Sequence, residues 1–150
     1  MAMLSFNGRV QIAIERAQTL YPDAEFLEAQ GHSSAGLIEH PAAIDQLRVL
    51  FRRDGGATLA VQETGYGTFD KPTSVENMPS GATIHWPIGM DLPDADRLKE
   101  QFGYTEPYSR VALCIPKGVT WANASYVFGG NPQCADVMVD TVTGKVREAS

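Results

Sequence analysis

Apolar residues recur along the chain with two different periods, and each change of period marks a boundary. From about Gly8 to Leu20, Val10, Ala13, Ile14, Ala17 and Tyr21 fall at the three- and four-residue steps of one helical face. Ser5 or Asn7 stands where a cap is wanted, and Pro22 stops the helix. The period then shortens to two. "AEFLEAQG" reads as a strand and "GHSSAG", Gly31 to Gly36, as a flexible loop. In "QLRVLFRR", Leu47, Val49 and Phe51 alternate with Gln46, Arg48 and Arg52, as in a strand with one wet face; "RDGG" turns the chain and "ATLAVQET" brings it back. Gln46 to Thr64 is therefore predicted to be a hairpin.

Gly65 to Gly89 is rich in Gly, Pro, Ser and Thr and reads as a connection, with "GATIHW" as one more strand inside it. The helical period returns in "MDLPDADRLKEQFG". Asp91 is the expected N-cap, Pro93, Asp94 and Asp96 occupy the first turn, and Leu92, Ala95, Leu98 and Phe102 line one face. Gly103 follows where a left-handed cap is needed. Three strands come next: "SRVALCIP"; "WANASYVFGG", in which Ala124, Tyr126 and Phe128 share a face; and "ADVMVD", followed by the turn "TVTG".

The second half thus repeats the order of the first. Phe51 corresponds to Phe128 and Val49 to Tyr126 at one offset; Leu59 matches Val137 and Val61 matches Val139 at an offset one residue longer, and the slip falls in the hairpin turn. The expected fold is α+β: two α-β-β-β repeats, each a helix packed on an antiparallel sheet, with sheets able to join into one. Residues 1–70 form the first unit, 71–90 the connection and 91–150 the second unit of one compact chain. The plainer alternative is a single α+β domain whose alternating strands resemble one another by necessity.

Composition narrows the function classes. A chain of 150 residues buries about 70% of its unfolded surface, enough for a core without metals or disulfides. A net charge of −6, with no basic cluster beyond Arg52 and Arg53, argues against nucleic acid and anionic membranes and leaves a protein partner, a basic one among them. No basic start followed by an apolar core opens the chain, and no run approaches a membrane span, so a cytoplasmic protein is expected. Cys114 and Cys134 match no metal-binding spacing. Cys114 lies in an apolar run as a reduced core cysteine would, and pairing of the two stays open.

The tail carries a more specific pattern. Tyr126 and Phe128, then Val137, Val139, Asp140, Thr143, Gly144 and Val146, resemble the "Y-x-F" and "V-x-V-D-x-x-T-G-x-V" strands that end a PepSY-type module. Asp140 and Thr143 can bond the backbone of the turn, and Gly144 accepts positive φ. Two helix-plus-sheet units in tandem further resemble the beta-lactamase inhibitor proteins, in which a curved sheet grips another protein. Those inhibitors are secreted and carry disulfides in both copies, whereas the first half of this chain has no cysteine. The resemblance therefore implies a non-catalytic binding scaffold and brings over neither lactamase inhibition nor any inhibitory residue.

Catalytic signatures are missing from the sequence. His32, His40 and His85 fall at no metal-ligand spacing, no GxSxG elbow occurs, and the GxG of "TGYGTF" lacks the third glycine and the helix of a dinucleotide site. No catalytic residue, metal or cofactor is expected. Tyr66 and Phe69 are candidate contact residues at a loop tip, with packing against the sheet as the plainer role. His85 and Trp86, beside a proline in "TIHWPIG", are candidate binding residues for the rival reading, a small-molecule site or minor enzyme with Cys114 nearby. The favoured reading is recognition of another protein, in an inhibitor or immunity role, by the open sheet face or by the Gly65 to Gly89 connection. Self-association through an edge strand is a third possibility.

Overall fold

A computed structural model describes residues 5–65, 67–75, 82–116 and 123–148. The first helix, α1, spans Phe6–Leu20; Ser5 caps it, its hydroxyl accepting from the Gly8 amide at 2.9 Å. Strands β1 (Glu25–His32), β2 (Gln46–Arg52) and β3 (Thr58–Gly65) follow, then the short β4 (Thr68–Phe69) and β5 (Thr73–Val75). Helix α2 (Leu92–Gln101) precedes β6 (Arg110–Cys114), β7 (Ser125–Gly129), β8 (Val137–Asp140) and β9 (Val146–Glu148).

Among the described residues, all nine strands belong to one antiparallel sheet, ordered β4-β3-β2-β1-β6-β7-β8-β9, with β5 also pairing β3. The predicted hairpin is present, and β1 joins the two halves by pairing β6, Ala29 standing opposite Leu113 and Gly31 opposite Val111. Cross-strand partners recur on either side of this seam. Phe51 faces Leu59 and Val49 faces Val61 in one half; Phe128 faces Val137 and Tyr126 faces Val139 in the other. These are the eight positions whose spacing matches in the sequence.

One sheet face carries both helices and the main core, in which Val10, Val49, Phe51, Val111, Leu113 and Tyr126 are buried. Alternation sends their neighbours to the opposite face. There Leu27, Leu50 and Ala60 make a small second cluster with Val75 against it.

Several expectations are corrected. Gly31 and His32 are not in a loop but end β1. A Cβ on Gly31 would stand 3.0 Å from Ile44 Cγ2 and 3.2 Å from Val111 Cγ1, so the strand runs through a spot already filled by its neighbours. The stretch 65–89 is not merely a connection, since β4 and β5 fold back on β3. Within "GATIHW", residues 82–86 form no strand: Ile84 and Trp86 plug into the core, and a single backbone bond, Ile84 N–H to the Phe26 carbonyl at 2.8 Å, reaches the sheet. Phe102 does not join the buried face of α2; as the C-cap it swings out to 62% exposure, while Asp96 and Lys99 are buried instead. Gly103 does adopt φ +94°. The terminal strand β9 went unforeseen, though it is what the "D-x-x-T-G-x-V" turn delivers.

Candidate functional site

The residues singled out in the sequence do not converge. Tyr66 lies outside the described residues. Phe69 is buried in the main core, packing against the sheet and not presented at a tip. Trp86 is half-buried, edge-on to Phe26 with ring centroids 5.4 Å apart, and its indole N–H donates to Gln11 Oε1. It serves as a lid on the core. His85 is exposed and lines a cleft of about 300 Å³ formed with Ile84, Ile88, Ile115 and Ala124, in which Trp86 and Cys114 take no part. Cys114 and Cys134 are not joined by a disulfide.

The turn that carried the resemblance is built as its chemistry requires. Asp140 Oδ1 accepts from the amides of Val142 and Thr143 at 2.8 and 2.9 Å, Asn123 Nδ2 donates to the same carboxylate, and Gly144 sits at φ +74°. Burial pushes this carboxyl's pKa up, but these donors outweigh it and hold it below the ordinary value. A depressed carboxyl stabilises the fold above its unfolded pKa and loses that contribution as pH falls through the folded one. Asp140→Ala is therefore expected to cost about 1.5 kcal/mol at pH 7 in urea denaturation, with the gap to wild type closing toward pH 2.

Neither helix packs on the other sheet face, where Leu27, Leu50 and Ala60 are buried but a band beyond them is not. A row crosses it through directly opposed residues: Gln62, Arg48, Gln30, Ala112, Val127, Met138 and Arg147. Arg48, Gln30, Ala112 and Val127 are half-buried and Gln62 and Arg147 exposed, so the middle of the row is accessible. Although the chain as a whole is acidic, this face bears Arg48, Arg52, Arg110 and Arg147. Arg52 stands opposite Glu25, and Arg110 reaches Asp136 at 3.6 Å. Among the described residues, Arg48 has no opposed acid in the ladder. It is a guanidinium at the centre of a mixed polar and apolar surface.

Two pairs of buried charged residues escaped the sequence reading. Arg9, on α1, donates to both carboxylate oxygens of Glu63 on β3 and, at 2.9 Å, to the Ile44 carbonyl; Glu63 Oε2 also accepts from the Gly67 amide at 2.9 Å. Lys99, on α2, donates to the Tyr104 carbonyl at 2.8 Å and lies over the rings of Tyr108 and Phe128 at 5.5 and 5.4 Å. Asp96 Oδ1 is 3.9 Å from the ammonium; burial raises this carboxyl's pKa more than Lys99 lowers it. Lys99, Tyr108 and Cys134 border a pocket of about 110 Å³. The one available signal was periodicity: Asp96 and Lys99 fall on the same helical face as Leu92 and Ala95.

Among the described residues, no three His, Cys, Asp or Glu side chains come together to hold a metal, and no helix is long and apolar enough to cross a membrane. No family model, curated protein or solved structure matches this chain.

Proposed function

We propose that the protein is a non-catalytic binding module that recognises another protein through its helix-free sheet face, in an inhibitor or immunity-type role. One observation carries this reading: the accessible row through Arg48, Gln30, Ala112 and Val127 runs unbroken across the β1–β6 seam, on a face where neither helix packs. We infer further that the scaffold arose from two copies of one helix-plus-three-strand unit. The matched cross-strand pairs and the strand order, which reads outward in the same sense from β1 and from β6, support that duplication.

Overall charge would steer a basic partner toward the molecule, while Arg48 offers a contact suited to a carboxylate or backbone carbonyl on it. The test is capture from an extract of the native host by immobilised wild type, Arg48→Glu and Val127→Glu. The face variants should retain at least about tenfold less of the bound protein, a loss of about 1.4 kcal/mol or more, while Glu15→Lys, on the solvent side of α1, retains it fully. Equal retention by all of them, or no retained protein across a range of conditions, would overturn the proposal.

A further inference from the structure

We propose that the cleft beside His85 binds a small, neutral, largely apolar molecule bearing a hydroxyl group. This site is independent of the sheet-face dock, because its apolar floor packs on the helix-side core at the strand ends. A volume of about 300 Å³ falls at the lower end of small-molecule pockets, which are mostly apolar with a few polar groups that fix orientation. Ile84, Pro87, Ile88, Ile115 and Val142 supply the apolar lining.

The polar lining selects the ligand's functional group. Thr141 Oγ1 commits its proton to the Ala124 carbonyl at 2.7 Å, so toward the cleft it can only accept. Asn123 spends Nδ2 on Asp140 at 3.2 Å, which leaves its amide oxygen as an acceptor as well. His85 has no hydrogen-bond partner among the described residues and can accept or donate. A purely hydrocarbon occupant would strip water from these acceptors without replacing its hydrogen bonds. An occupant that brings an O–H donor satisfies one of them.

Charge sets the second restriction. Among the described residues no acid, lysine or arginine lines the cleft, and the Asp140 carboxylate lies behind Asn123. A carboxylate ligand would lose its hydration with the like charge of Asp140 close by. Neutral phenols fit; benzoates do not.

Titration of the full chain, followed by NMR, with 4-propylphenol, propylbenzene and 4-propylbenzoate tests this directly. The phenol should shift the signals of Ile84, Ile115 and Thr141, and bind about tenfold more tightly than propylbenzene, the worth of one well-placed hydrogen bond. The benzoate should be weakest. Thr141→Val should reduce the phenol to the affinity of propylbenzene without changing propylbenzene itself, and Thr141→Ser, which keeps the hydroxyl, should restore the difference. Benzoate binding as tightly as phenol, indifference of the phenol to Thr141→Val in a folded variant, or no shifts at millimolar phenol would overturn the assignment.

Discussion

Arg9→Met is expected to destabilise the protein by about 3–5 kcal/mol, the usual cost of removing one partner from a buried ion pair. The Arg9 and Glu63 side chains are 4% and 1% exposed, so water cannot take over the abandoned carboxylate. Among the described residues, Glu63 would keep the Gly67 amide alone, and the Ile44 carbonyl would lose the donor that ties it to α1. Chemical denaturation with urea reads the effect. The double variant Arg9→Met/Glu63→Leu should regain a large part of the loss, because it leaves no buried charge behind. A single-variant cost below about 1 kcal/mol would mean that the pair is hydrated and does not anchor α1 to the sheet.

The second large effect is expected at Tyr126. Its ring is fully buried, edge-on to Phe6 at 6.0 Å, and its hydroxyl reaches Asn7 Oδ1 at 2.7 Å and the Met90 carbonyl at 3.0 Å. Asn7 in turn donates its backbone amide to Asp91 Oδ1 and its side-chain amide to Met90, so the starts of both helices meet over β7. Tyr126→Ala should cost about 3–5 kcal/mol through the cavity and lost burial. Tyr126→Phe should cost about 1–3 kcal/mol, through Asn7 Oδ1 left without its donor, while the Met90 carbonyl keeps Asn7 Nδ2. Both should shift one unfolding transition seen alike by far-ultraviolet circular dichroism and tyrosine or tryptophan fluorescence. Two separated transitions would mean that the halves unfold independently and that this junction does not couple them.

Strands and helices were legible where side chains of one kind alternate with those of another. Leu47, Val49 and Phe51 against Arg48 and Arg52 predict both the strand and its faces, and Asp91, Pro93 and Gly103 frame α2 through local backbone chemistry. Legibility fails where a tertiary contact replaces a local rule. Gly31 looks like the start of a loop because nothing nearby in sequence reveals that Ile44 and Val111 occupy its side-chain space. Phe102 looks like core until the helix ends one residue earlier and turns it outward. The buried charges were hidden for a related reason. Arg9 and Lys99 stand outside the apolar residues that mark each helical face, and only the sheet brings Glu63 to one and the faces of Tyr108 and Phe128 to the other. His85 is exposed, and the cleft it borders is assembled with residues just after β6, just before β7 and in the turn after β8, far away in sequence.

The row of accessible side chains exists as a single surface only because β1 pairs with β6. Backbone nuclear Overhauser contacts in the labelled full chain measure that pairing without reference to any partner. Contacts linking Gln30 with Ala112 and Ala29 with Leu113, together with slowly exchanging amide protons along this seam, are the predicted result. Fast amide exchange throughout β1 and β6 with no contact between them would divide the sheet in two and contradict the account.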